Sequence, residues 1–261
     1  MQALKLPAGA GFDWLSKGFA IFKKRPAFFL LLAFIWHLNT IFSIQLLGLF
    51  GLFSAALVQP VYIAFILLCC HHIHNGKRFS LNEIFDTFRQ GQILKSLLIA
   101  GCIYGLIFIV LNMFFTPSLI KESEIANVIE ALTASEVTEE SYAAIAASIN
   151  PFAIILMVLY SVLITLVYWF VPSLILWNGT EVVKSIVFST IGVMRNLAAF
   201  VMMGLPALLI AYVIWNLILV AMSMGAVGAL LAFVLQIILI SLLMSLYCAM
   251  YVSYKQIFQS A

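Results

Sequence analysis

Long apolar runs, free of Asp, Glu, Lys and Arg, dominate the hydrophobic pattern of this chain. A helix needs about 20 mostly apolar residues to cross a bilayer, and by that measure we predict spans at about 26–48, 49–70, 96–116, 152–177, 198–222 and 229–254. The runs are apolar on every face, whereas strands of a membrane barrel alternate apolar and polar positions. The pattern therefore predicts an all-α polytopic membrane protein with six transmembrane helices, built as a single membrane domain over residues 1–261.

In three segments outside the runs, apolar residues recur among polar ones with a helical period, which is typical of amphipathic helices at a membrane surface. They lie in the N-terminal segment 1–25 and in the connections 71–95 and 178–197. The first carries an apolar stripe made of Phe12, Leu15, Phe19 and Phe22. Each segment precedes two spans, which predicts three repeats of an interfacial helix plus a hairpin. Chance also produces such a pattern in so hydrophobic a chain, and both explanations stay open.

The segment 117–150 differs from the rest of the chain because it is rich in glutamate. Its apolar residues recur at helical spacing between the acidic ones, and Asn150–Pro151 has the pattern that starts a helix. We predict an external helical segment that forms a solvated lid. A surface for a cation or a protein partner is the alternative.

Composition and charge support membrane insertion and indicate an orientation. The chain is 65% hydrophobic and 9% charged, against about 45–50% and about 25% in soluble domains. With six spans, every Lys and Arg except Lys121 falls on the side that holds both termini. Basic residues favour the cytoplasmic side, so we expect cytoplasmic termini. The net charge of +3 hides this asymmetry, and we expect no nucleic-acid partner.

The stretch "CCHHIHNGKR" concentrates metal-ligating side chains at the end of the second span. Cys70 and His74 are four residues apart, and His71 and His74 are three apart, so either pair could share zinc or copper(I) on a helix. The sequence offers no second cluster to complete four ligands. The alternative is a helix end at the membrane surface, where histidines and basic residues suit anionic headgroups. We therefore expect no metal site and no cofactor.

Polar residues inside the spans are the candidates for a binding cavity, since such residues are costly in a membrane and often functional. They are His37, Asn39, Asn112, Asn216 and Gln236. Together they could line a polar cavity for a transported molecule. Hydrogen bonds between helices are the alternative.

Motifs for an enzyme are absent from the sequence. The spans hold no carboxylate, lysine or arginine for an ion relay, and the chain lacks Walker A, His-Glu-x-x-His, Gly-x-Ser-x-Gly and Cys-x-x-Cys sequences. We expect a non-enzymatic membrane-organising or assembly component whose partners are membrane lipids and either further copies or another membrane protein. The alternative is a small-solute or lipid transporter with a polar cavity around His37, Asn112 and Asn216. A zinc- or copper-binding membrane protein is the third hypothesis.

The N-terminal stretch carries a resemblance to a known family. Pro7, Ala8, Gly9, Gly11 and Trp14 form the motif Pro-Ala-Gly-x-Gly-x-x-Trp, which is followed by Gly18, Phe19, Phe22 and Pro26. This opening resembles that of a family of bacterial multi-helix inner-membrane proteins of uncharacterised role. "NGKRFSLNEIFDTFRQG" is similar to the first cytoplasmic loop of that family. The resemblance covers about the first 95 residues; it implies an inner-membrane location and supplies no catalytic residue.

Overall fold

A computed structural model of the chain describes residues 2–76, 81–89, 91–121 and 148–259. Most of the predicted external segment, residues 122–147, lies outside the described residues, as do 77–80 and 90 of the first loop. The α-helices of the described part are α1 (Ala10–Lys24), α2 (Pro26–Leu47), α3 (Leu49–His74), α4 (Leu81–Arg89), α5 (Gly91–Phe115), α6 (Pro151–Tyr168), α7 (Val171–Asn178), α8 (Val182–Arg195), α9 (Leu197–Met222) and α10 (Gly225–Phe258).

Six helical stretches of the described residues are long and apolar enough to cross a membrane. They are Pro26–Leu47, Phe50–His74, Gly91–Phe115, Pro151–Asn178, Leu197–Met222 and Gly225–Phe258. The prediction of an all-α polytopic membrane protein is confirmed. Some bounds differ from the sequence estimate: α5 begins at Gly91 rather than at 96, and α10 runs beyond 229–254 at both ends. The extension of α5 and the C-terminal extension of α10 carry polar residues such as Lys95 and Lys255, which a hydropathy criterion excludes although a helix tolerates them.

The fourth span consists of two helices, α6 and α7, which meet at Trp169 and Phe170. Pro172 lies in the first turn of α7, where its missing N–H costs no helical hydrogen bond. The backbone N–H of Phe170 donates instead to Ser189 Oγ of α8, at 3.0 Å. The break in the span is therefore stabilised by a hydroxyl from a neighbouring helix.

The order of the elements repeats three times along the described chain. A short helix precedes two spanning segments in each unit: α1 before α2 and α3, α4 before α5 and α6–α7, and α8 before α9 and α10. The three short helices are the predicted amphipathic segments. This order matches the predicted series of interfacial helices and hairpins.

The buried core lies at one end of the bundle, which we call the packed end: it contains α1, α4, α7, α8 and the last turns of α3 and α10. Both ends of the described chain meet there, since the Leu4 N–H donates to the Ile257 carbonyl oxygen at 3.0 Å. Asn196 holds the same N-terminal segment: its Oδ1 accepts from the Leu6 N–H and its Nδ2 donates to the Leu4 carbonyl. Away from this end, large apolar side chains such as Leu46 and Phe114 are exposed, as suits contact with lipid.

Helix α1 packs through a face different from the one that its apolar stripe suggests. Its buried side is centred on Trp14, which is fully buried, and on Gly18, whose backbone lies against α10. Phe12 and Phe19 of the predicted stripe are each about half exposed (48% and 47%). Glycine permits a closer helix approach than phenylalanine does, so Phe12 and Phe19 stay on the outer side, where lipid would contact them. Phe22 of the same stripe is buried with Trp14 and Gly18.

Candidate functional site

A cavity of about 720 Å³ separates α6 from the α9–α10 hairpin, and α2 contributes His37 to its wall. On α9 the lining includes three small residues at helical spacing, Gly204, Ala207 and Ala211, between larger apolar side chains such as Phe200 and Leu208. Pro206 lies within the same turn of α9 and removes one backbone hydrogen-bond donor there. Small side chains on α9 therefore leave room that aliphatic residues of α6 and α10 do not fill.

The polar groups of this cavity are few and are largely satisfied by their own helices. Ser161 Oγ donates to the Met157 carbonyl and Thr165 Oγ1 to the Ser161 carbonyl, each at 2.8 Å. His37 Nδ1 lies 3.3 Å from the Ala33 carbonyl oxygen. Gln236 adds an amide to the wall. No Asp, Glu, Lys or Arg of the described residues lines the cavity, so it suits an apolar molecule.

A second cavity, of about 180 Å³, adjoins the first one and has a different lining. Gln59, Tyr104, Tyr168 and Tyr247 come from four different spans and surround it. Thr165, Trp169, Leu243 and Leu246 line both cavities. We call the two the large cavity and the tyrosine cavity. Together they form a site whose main volume is apolar and whose smaller part carries hydroxyl and amide groups.

Two of the five polar residues predicted to line a cavity lie together in the large cavity, namely His37 and Gln236. The other three do not line it. Asn112 Nδ2 donates to the Phe108 carbonyl and Asn216 Nδ2 to the Tyr212 carbonyl, each at 2.8 Å within its own helix. Asn39 is exposed on α2.

The candidate metal ligands at the packed end contact residues of α10 and do not form a common ligand set. Cys70 Sγ lies 3.4 Å from Cys248 Sγ of α10 in a fully buried contact. His71 Nδ1 lies 3.1 Å from the Tyr251 hydroxyl, and His74 is exposed. Among the described residues, no group of three or more His, Cys, Asp or Glu side chains could hold a metal ion. The contact between Cys70 and Cys248 joins α3 to α10, and the spacing of cysteines along the sequence does not indicate it.

Tyrosines inside the spans are the site residues that sequence reasoning missed. The polar residues predicted at membrane depth are His, Asn and Gln, yet a phenol in hydrocarbon also needs a hydrogen-bond partner. The available signal is a tyrosine that interrupts an otherwise apolar run, as at Tyr104, Tyr168 and Tyr247.

Comparison with known proteins identifies a distant relative. The chain is 25% identical to a probable inner membrane protein of Burkholderia thailandensis, in an alignment of 269 residues that covers 99% of this chain and 94% of the relative. No family model matches the chain. No solved structure matches it either. The relative and the six apolar helices together support a multi-pass inner-membrane protein.

Proposed function

We propose that this chain is a non-enzymatic, membrane-organising or assembly component of the inner membrane, and that it holds a lipid-like molecule in the large cavity. The observation that carries this proposal is the aliphatic lining of a space of about 720 Å³ within the spans. Ligand pockets in proteins commonly measure about 300–1,000 Å³. A cavity of this kind offers an acyl or isoprenoid chain the same apolar surroundings that it has in the bilayer.

The alternative function, transport of a small polar solute, has less support in the geometry. It predicts a polar path through His37, Asn112 and Asn216. His37 lies in the large cavity, whereas both asparagine side chains donate to carbonyls of their own helices and line neither cavity. A lipid translocator would use the same apolar space as the proposed component, and the two differ in whether the bound lipid crosses the membrane.

Filling the large cavity tests the proposal. Gly204 lies on its wall, and a Cβ at this position would meet nothing within 4 Å, so Gly204→Phe places a ring in open space. Ala198→Phe makes a similar change at an exposed position of the same helix, outside the cavity lining. We expect native mass spectrometry to show co-purified lipid on the wild type and on Ala198→Phe, and much less on Gly204→Phe. Equal lipid on all three proteins would contradict the proposal.

We also propose that the packed end faces the cytoplasm. This end holds Lys24, Arg25, Lys184 and Lys255, whereas Lys121 follows α5 at the opposite end. Alkaline phosphatase is active only when exported, so it should be inactive when fused after residue 261 and active when fused after Lys121. The reverse pattern of activity would overturn this orientation.

A further inference from the structure

The tyrosine cavity is lined by a tyrosine whose hydroxyl has no hydrogen-bond partner among the described residues. Tyr168 is 8% exposed and lines the cavity, and its hydroxyl makes no hydrogen bond within the described part of the chain. On the same wall, the side chains of Tyr104 and Gln59 lie close to each other. The Tyr62 hydroxyl is likewise buried and unpartnered among the described residues, and its ring lies edge-on to Tyr247 at 6.4 Å.

Burying such a hydroxyl without a partner is unfavourable in free energy, and this indicates which kind of molecule would bind in the cavity. Buried polar groups in native proteins nearly always have partners, and the hydrocarbon of a membrane offers none. A phenol donates one hydrogen bond. A molecule that presents an acceptor oxygen to Tyr168 would therefore satisfy the group.

Size and charge narrow the class of molecule further. A cavity of about 150 Å³ holds one benzene ring, so about 180 Å³ accommodates a single six-membered ring with small substituents. None of the described residues that line it is Lys, Arg, Asp or Glu. A phosphate or ammonium group would be buried there without a counter-charge, which is strongly unfavourable. An uncharged ring that carries acceptor oxygens meets both conditions.

We propose that the tyrosine cavity binds the ring of a quinone lipid, with Tyr168 donating to a ring carbonyl and the apolar tail lying in the large cavity. The shared lining residues Thr165, Trp169 and Leu246 place the two cavities next to each other, as this arrangement requires. The inference rests on the proposed function, since the tail uses the cavity assigned there. The inference adds that the polar end of the bound lipid is a quinone ring and that Tyr168 recognises this ring.

The test compares three probes with the same ten-carbon tail and different heads. Decylubiquinone presents carbonyls on a ring, decylbenzene presents a ring without acceptors, and decyl phosphate presents a charge. Retention of each probe is measured on the purified protein in lipid nanodiscs, with empty nanodiscs as background. We expect decylubiquinone to bind most tightly. Tyr168→Phe should weaken its binding between about twofold and tenfold, as the loss of one hydrogen bond does.

Controls keep this result independent of folding. Tyr212→Phe makes the same substitution at an exposed position of α9 that lines neither cavity, and it should bind decylubiquinone like the wild type. Quinones quench nearby tryptophan fluorescence, so Trp169 provides a second readout from the boundary of the two cavities. The quenching should be reduced in Trp169→Phe.

The outcomes separate the two proposals. One outcome overturns the quinone inference and leaves the lipid cavity in place: the three probes bind equally, Tyr168→Phe does not change their binding, and Gly204→Phe abolishes it. A water molecule bound to Tyr168 would then account for the buried hydroxyl. If decylubiquinone binds and neither Gly204→Phe nor Tyr168→Phe weakens it, the probe binds elsewhere and the inference again fails. If no probe is retained and co-purified lipid is absent as well, both proposals fall.

Discussion

Gly18→Ala should loosen α1 from α10, although alanine is the better helix former. A Cβ at Gly18 would lie 2.6 Å from the Ala249 backbone nitrogen and 2.7 Å from the Ser245 carbonyl oxygen. Both neighbours belong to the α10 backbone and cannot rotate away, so α1 as a whole must move. Overpacking of this kind costs about 1–3 kcal/mol, which exceeds the gain of about 0.5–1 kcal/mol from replacing a helical glycine by alanine. The difference is a net loss of about 1 kcal/mol at the middle of both ranges and of about 2.5 kcal/mol at most.

Gly204→Ala is the matched control, because Gly204 is also a helical glycine but has nothing within 4 Å of the added Cβ. It should raise the free energy of unfolding by about 0.5–1 kcal/mol. Chemical unfolding in mixed micelles, followed by intrinsic fluorescence, measures both changes. The two substitutions should have opposite signs. Equal stabilisation by both would refute the close packing of α1 on α10.

Three further predictions concern single side chains. Asn196→Ala removes two of the hydrogen bonds that hold the N-terminal segment and leaves the one from Leu4 to Ile257, so trypsin should cleave at Lys5 faster than in the wild type. An unchanged cleavage rate would show that the two bonds to Asn196 do not hold the segment. Tyr168→Phe should raise the thermal stability of lipid-free protein, because an unpartnered buried hydroxyl costs about 1–3 kcal/mol; a lowered melting temperature would mean that the hydroxyl has a partner. The hydrogen bond from Lys17 lowers the pKa of Asp13 in the folded protein below its ordinary value of 3.8. The stability that the ionised Asp13 contributes is therefore present above pH 3.8 and is lost as the pH falls through the pKa of Asp13 in the folded protein. Asp13→Asn should remove this loss of stability at low pH when the free energy of unfolding is measured between pH 2 and 6. A pH profile identical to that of the wild type would contradict the role of Asp13.

The spans were predictable from sequence because the constraint is local: charge-free apolar runs of bilayer length leave few alternatives to a helix. The break between α6 and α7 was not predictable in the same way. Pro172 signals that a helix can start nearby, yet a proline in a span is also compatible with a kink. The deciding contact is the hydrogen bond from Phe170 to Ser189, which lies on another helix and has no signature in the local pattern.

The site was predictable only in part, since a cavity depends on which helix faces which other. His37 and Gln236 could be named as polar residues at membrane depth, but their sharing of one cavity follows from the packing of α2 and α10. Asn112 and Asn216 have the same sequence signal and instead donate to carbonyls four residues earlier. Residue type therefore indicates which residues could line a cavity, and the rotation of each helix about its axis determines which of them do.

Photo-crosslinking with a phospholipid that carries a diazirine on its acyl chain tests the central claim most directly, because it reports where a chain lies. Mass spectrometry of the labelled protein should find crosslinks at Leu239 in the large cavity and at Phe233 on the outer surface of α10. In Gly204→Phe the crosslinks at Leu239 should disappear while those at Phe233 persist. Labelling confined to outer positions such as Phe233 in the wild type would contradict the claim that the large cavity holds lipid.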